Sequence, residues 1–167
     1  MVQSKPLMGY PEHHEFEELL GSCGSMTKQL EEKGHHLTVT LLSEEYHGQY
    51  FRRYTILNLD NTPVVLACSQ TDIKNQYFHS LLKNASTTPI GKFLFAKDSR
   101  VKRESDMLIE LITINELLDY PLLTDNLLSH KYQQSQQFWQ RKSLFTYNTE
   151  SFVLIEILLP ELDLLFK

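Results

Sequence analysis

The spacing of the hydrophobic residues predicts two short helices and then a strand at the start of the chain. A proline, several glutamates and one apolar face predict the first helix, over residues 11–20. The second helix is predicted within residues 25–34, because Met26 and Leu30 are four positions apart and therefore share a face. Over residues 37–42 the hydrophobic period changes to two, which indicates a half-buried strand.

Two β-hairpins are predicted where turn residues separate apolar segments. The turns have the sequences Asp-Asn-Thr at 60–62 and Asn-Thr-Glu at 148–150, which are compositions typical of hairpin connections. The predicted strand pairs are 50–59 with 63–69 and 138–147 with 151–159.

The segments between the hairpins complete a pattern typical of an α+β fold. Helical spacing over 72–84 predicts a helix, and Thr88-Pro89 predicts the start of another that continues over 90–96. Residues 107–114 are strand-like, while the Leu-rich residues 116–130 fit either a helix or a strand. Strands and helices do not alternate regularly, so we expect one largely antiparallel sheet with the helices packed on one side.

Composition and charge restrict the function. The 167 residues, 41% of them hydrophobic, fit a single domain over 1–167, and a formal net charge of -5 disfavours a general nucleic-acid-binding role. The two cysteines, Cys23 and Cys68, form neither a disulfide framework nor a zinc motif, and the paired histidines lack metal-ligand spacing. The chain has no signal-peptide pattern and no long apolar run, so we expect a soluble, intracellular protein.

Glu156 and the Arg52-Arg53 pair are the residues most suggestive of a site. Glu156 is the only charged residue of an apolar strand, where its carboxylate needs a cation, hydrogen-bond donors or a proton, although a structural ion pair or a solvent-facing position would also explain it. Strand alternation places Arg52 and Arg53 on opposite faces, so one should point inward and hold a carboxylate, either of a ligand or of the protein, with Glu156 as one possibility.

Other charged or reactive residues are weaker candidates. Glu110 also lies in an apolar strand, so Glu156 is not unique in this respect. Cys23 precedes a predicted helix, but no base is identifiable near it. A basic cluster is either a solvated surface or an attractor for an anionic ligand. Its members are Lys97, Arg100, Lys102 and Arg103.

Four segments resemble, in order and spacing, the motifs of the chorismate lyase family, and the resemblance is greatest to its cyanobacterial and red-algal plastid branch. Together they extend from about residue 20 to residue 160. The segments are Gly24-Ser25-Met26-Thr27-Lys28-Gln29-Leu30-Glu31, Thr88-Pro89-Ile90-Gly91-Lys92-Phe93-Leu94-Phe95, Trp139-Gln140-Arg141-Lys142-Ser143 and Glu156-Ile157-Leu158-Leu159-Pro160.

The resemblance implies an enzyme that removes pyruvate from chorismate and leaves 4-hydroxybenzoate, a quinone precursor, without cofactor or metal. It also implies a six-stranded antiparallel sheet whose helices form flaps over a buried site. A dry pocket that holds one reactive conformer would suit this elimination. We therefore expect a monomeric lyase of the cytoplasm or the plastid stroma that binds neither nucleic acid nor membrane.

The resemblance also implies the site residues. Arg53 occupies the position of the family's carboxylate-binding arginine, and Glu156 that of the glutamate that contacts the 4-hydroxyl group, so both would be catalytic. Met26 and Ile90 match positions whose backbone groups contact the product. Cys68 stands where other members have a basic residue, so a second carboxylate would need help from Arg103 or Arg141.

Two other readings stay open beside the enzyme. The chain would be a small aromatic-acid-binding module if it has kept the fold and lost the chemistry, because the same fold serves as the effector-binding domain of transcription regulators. Those regulators carry a winged helix in front, for which we expect no room before Glu12. In a purely structural domain, Arg53 and Glu156 would pair only with each other or with solvent.

Overall fold

The computed structural model describes residues 26–33, 35–104, 107–129 and 132–162, and the predicted helix over 11–20 lies outside this part. The helices are α1 (Met26–Glu32), α2 (Gln76–Asn84), α3 (Gly91–Leu94) and α4 (Pro121–Ser129), with a 3-10 helix at Ile114–Leu117. The strands are β1 (Leu37–His47), β2 (Tyr50–Leu59), β3 (Thr62–Asp72), β4 (Lys102–Arg103), β5 (Leu108–Thr113), β6 (Gln137–Tyr147) and β7 (Glu150–Leu158).

The strands form one antiparallel sheet, which confirms the predicted α+β class. Its order is β1-β2-β3-β7-β6-β4, and β5 pairs with the same edge of β6 as β4, so the sheet has seven strands among the described residues. The two predicted hairpins are present as β2-β3 and β6-β7. Because β3 pairs with β7, the first and the last hairpin join in the middle of the sheet.

The first hairpin has a two-residue turn whose geometry follows from its residues. Asp60 and Asn61 both have positive φ values, 51° and 70°, which two-residue hairpin turns require and which Asp and Asn tolerate. The Asp60 carboxylate accepts hydrogen bonds from His35 Nδ1 at 2.7 Å and from the backbone N–H of His36 at 2.9 Å. These bonds lower the pKa of Asp60 and fix the start of β1 to the turn.

Helices cover both faces of the sheet, so the prediction that they pack on one side is wrong. α2 and α3 pack on one face, against residues that include Phe152 and Leu154. The 3-10 helix and α4 pack on the other face, against a second core that includes Tyr54 and Ile155. The reason is that β2 and β7 carry buried apolar side chains on both faces, which requires two layers of cover.

Two helices are shorter than predicted. The predicted helix over 72–84 begins only at Gln76, because β3 continues to Asp72. The predicted helix over 90–96 is the single turn Gly91–Leu94. The ambiguous residues 116–130 contain the end of the 3-10 helix and α4.

No helix in the described part of the chain is long and apolar enough to span a lipid bilayer.

Replacing Asp60 by Asn should destabilise the fold in a pH-dependent way. Because the folded protein lowers the pKa of Asp60 from 3.8, the carboxylate stabilises the fold above that value, and this contribution is lost as the pH falls through the lowered pKa. We expect a lower urea midpoint for Asp60→Asn at pH 7 and equal midpoints for both proteins in strong acid.

Asp98→Asn removes the same charge from an exposed loop position and is the matched control. An Asp60→Asn midpoint that differs from wild type equally at every pH would contradict this role of the carboxylate.

Candidate functional site

A cavity lies between the sheet and the α2–α3 side of the molecule. Strands β1, β2, β3, β7, β6 and β4 contribute its floor and walls, and residues 89–91, 94 and 95 cover it. Its volume is about 30 Å³, which is room for about two water molecules. As it stands, the cavity is therefore too small for a molecule with an aromatic ring.

The strand registers place the polar side chains of the cavity in two adjacent rows. Arg53 lies directly across from Ser69, and two positions further along the strands Ala67 lies between Thr55 and Glu156. Since residues two apart on a strand share a face, these side chains all belong to the same side of the sheet. We call this side the cavity face.

Arg141 and Glu156 form a buried ion pair on the cavity face. Arg141 Nε donates to Glu156 Oε1 at 2.8 Å, and the two side chains are 0% and 7% exposed. The pair follows from the last hairpin, in which Tyr147 is opposite Glu150 and Arg141 is therefore opposite Glu156. The carboxylate of this apolar strand is thus neutralised by the protein, and its partner is not Arg53.

Arg53 is buried without a carboxylate in contact among the described residues. It is 2% exposed, and its Nη2 donates to two backbone carbonyls, of Ser86 at 2.7 Å and of Thr88 at 3.1 Å. Its Nε has no hydrogen-bond partner in the described part of the chain. Burial lowers the pKa of Arg53, and the nearby charge of Glu44 offsets this only in part. A guanidinium stays charged nonetheless, so this side chain is suited to receive an anion.

Arg103 adds a third guanidinium to the cavity lining. It lies over the rings of Phe145 and Phe95, with its Cζ 4.8 Å and 5.3 Å from the two ring centroids. Stacking of this kind holds the charged end of the side chain against an aromatic wall.

Arg52 has a structural position on the opposite face. Its Nε donates to Gln70 at 2.7 Å, its Nη1 donates to the carbonyl of Asp119 at 2.8 Å, and it stacks on Tyr120. Both arginines of the pair are therefore buried, each under a different helical layer.

The structure brings three of the four predicted site residues to one cavity. Arg53, Ile90 and Glu156 line it together. Met26 is the first residue of α1, and its side chain lies outside the described part. α1 contacts α3, so the start of this helix belongs to the same side of the sheet.

Cys68 does not line the cavity. It is fully buried on the opposite face beside Arg52 and Tyr54, and burial raises its pKa to about 12. Ser69 instead faces Arg53, because an irregularity in the pairing of β2 with β3 at Leu57 and Asn58 shifts the register by one residue. The turn by itself would have placed Cys68 opposite Arg53, and the sequence carried no clear signal for the shift.

The arrangement can bind but has few means of catalysis. One end offers the Arg53 guanidinium and the adjacent Ser69, and apolar side chains such as Leu154 and Leu94 border the middle. The carboxylate of Glu156 is held by Arg141 and is not a lone base. The described residues contain no group of three or more side chains that could hold a metal ion.

No protein-family model matches the sequence, and no curated protein is significantly similar to it. Solved structures do show a similar fold. The effector domain of PhnF from Mycobacterium smegmatis is 9% identical over 82% of this chain and 89% of its own, with a TM-score of 0.56. The gene product SA0254 from Staphylococcus aureus is 10% identical over 83% of this chain and 90% of its own, with a TM-score of 0.56.

The C-terminal domain of the histidine utilization repressor from Pseudomonas syringae is a third similar structure. It is 11% identical over 74% of this chain and 91% of its own, with a TM-score of 0.50. Two of these neighbours are thus described as an effector domain and as the C-terminal domain of a repressor, and chorismate lyase has a related fold. The chain thus shares its fold with these domains, whereas nothing at the level of sequence families supports the lyase.

The prediction of an enzyme is wrong, because the comparisons point to regulator ligand-binding domains and away from enzymes. The geometry agrees with this correction. Glu156, predicted to act on the substrate, is in a buried ion pair with Arg141. The Trp139-to-Ser143 and Glu156-to-Pro160 segments, which suggested the lyase, contribute the two paired strands that hold this ion pair.

Removing one partner of the Arg141–Glu156 pair should destabilise the fold more than removing both. Arg141→Met leaves Glu156 buried without its cation and should lower the free energy of unfolding by about 3–5 kcal/mol. The double variant Arg141→Met/Glu156→Leu should regain most of this loss, because no charge is then left buried. Urea denaturation of both variants measures the difference.

Lys142→Met removes a neighbouring cation on the other face of β6 and should change stability by about 0.5 kcal/mol or less. A double variant no more stable than Arg141→Met would show that the two side chains do not act as a pair.

Proposed function

We propose that this chain is a non-catalytic binding domain for a small aromatic carboxylic acid, of the sensor or effector-binding kind. The observation that carries the proposal is Arg53, a buried cation whose contacts among the described residues are with neutral carbonyls. Burying a charge without a counter-charge is costly, and a bound carboxylate would supply the missing one.

The ligand would lie along the cavity with its carboxylate at Arg53. The guanidinium can donate from Nε to one carboxylate oxygen. Ser69 is the cross-strand neighbour of Arg53, so its hydroxyl lies beside the same carboxylate. The apolar walls formed by Ile90, Leu94 and Leu154 suit a ring. At the far end, Glu156 can accept a hydrogen bond from a ligand hydroxyl through the oxygen that Arg141 leaves available.

4-Hydroxybenzoate is the simplest molecule with these three features. It has a carboxylate, a ring and a hydroxyl group at the opposite end. The resemblance of the four segments to chorismate lyases supports the choice of this acid as the first probe. The similar solved structures support binding, since they are effector domains.

We also propose that the binding unit is the whole chain as one domain. The pairing of β3 with β7 supports this, because the floor of the cavity combines β2 and β3 from the first half of the chain with β6 and β7 from the second. Neither half alone contains both Arg53 and Glu156.

Arg53→Gln should weaken binding of 4-hydroxybenzoate strongly. Hydrogen bonds to a charged group are worth about 1.5–3 kcal/mol, so the loss should be about 10- to 100-fold in Kd. Isothermal titration of the full chain measures it. Arg100→Gln, which removes the same charge from an exposed position, should bind like wild type.

A second arm tests the absence of catalysis. Wild-type protein incubated with chorismate should release no pyruvate above the spontaneous rate. Unchanged binding in Arg53→Gln would refute the assignment of the site, and pyruvate release that is lost in Arg53→Gln would refute the non-catalytic reading.

A further inference from the structure

The segment over residues 86–95, which we call the lid, closes the cavity and belongs to no strand. It follows α2 and contains α3, and its residues Ile90, Gly91 and Leu94 line the cavity. The backbone hydrogen bonds of the lid among the described residues are local, such as those from Lys92 N–H to Pro89 O and from Phe95 N–H to Gly91 O. Its own secondary structure therefore does not attach it to the sheet.

The small volume of the cavity requires the lid to open before a ring can enter. The other lining elements are strands, of which β2, β3, β6 and β7 are paired along both edges. Displacing a paired strand would break many ladder bonds, whereas displacing the lid leaves the ladders intact. The lid can thus move without breaking the hydrogen-bond ladders of the sheet.

Arg53 links the lid to the sheet. From the middle of β2, its Nη2 donates to the carbonyls of Ser86 and Thr88, at 2.7 Å and 3.1 Å. Ser86 has a φ of 52°, a left-handed conformation that residues other than glycine rarely adopt. Contacts with the surrounding structure must hold such a backbone, and the bond from Arg53 is one of them.

We propose that Arg53 is the latch of the lid, so that a single guanidinium both holds the cavity shut and binds the ligand. Nη2 donates to the lid carbonyls, while Nε has no hydrogen-bond partner among the described residues. That the same guanidinium also binds the ligand rests on the proposed function.

Hydrogen exchange in the ligand-free full chain tests the latch directly. The amides of Lys92, Phe93, Leu94 and Phe95 report local unfolding of the lid, because each donates a hydrogen bond within this short segment, which a lost contact with Arg53 would leave less stable. In Arg53→Gln these amides should exchange about tenfold faster than in wild type, relative to amides of β3 in the same sample.

Arg52→Gln is the matched control. Arg52 is the adjacent residue on β2, is also buried, and holds the Asp119 carbonyl on the opposite face. Its loss should speed exchange at the amides of Leu123 and Thr124 and leave the lid amides unchanged. If Arg53→Gln does not fold, Arg53→Lys keeps the cation on a shorter side chain that does not reach the position of Nη2, and should show the same selective effect.

Lid amides that exchange at the wild-type rate in Arg53→Gln or Arg53→Lys would overturn the latch, and so would equal acceleration in Arg52→Gln. Because this test uses no ligand, its failure is separate from a failure of the proposed function.

Discussion

A guanidinium buried beside neutral carbonyls is the constraint on which the site depends. Desolvation of Arg53 is costly, and the fold offsets part of this cost with two carbonyl dipoles from the lid rather than with a carboxylate. The same cavity contains Arg141, whose charge is balanced by Glu156 at 2.8 Å. Arg141 is thus ion-paired within the protein across two strands, whereas Arg53 has no carboxylate in contact among the described residues.

The hairpins place these two arginines on the same face. In the sheet, β3 and β7 lie side by side between β2 and β6, so Arg53 and Arg141 approach the cavity from opposite sides. Helical layers on both faces exclude water from the arginines, and Arg52 shows the alternative outcome, in which a guanidinium is fully used by neighbouring groups. The proposed binding function rests on Arg53, whose contacts among the described residues are with neutral carbonyls.

Elements with local sequence signals could be predicted from the sequence. Positions that depend on strand register were harder to predict. Turn residues at 60–61 predicted the first hairpin, and alternation separated Arg52 from Arg53. The position of Cys68 was missed because the register shift beside Leu57 depends on how two strands fit together, which composition does not encode. The pairing of Arg141 with Glu156 could be predicted by counting along both strands from the last turn. The motif resemblance instead suggested that Glu156 acts on a substrate, which its ion pair with Arg141 opposes.

The account can be tested most directly at the Arg53 Nε–H group itself. Its ¹H–¹⁵N signal, assigned by its loss in Arg53→Lys, can be followed by NMR while 4-hydroxybenzoate is added to the full chain. The account predicts a saturable shift of the Arg53 signal with no shift of the Arg52 signal. An Arg53 signal that stays in place while the acid binds would contradict the central claim that this buried cation is the anion receptor.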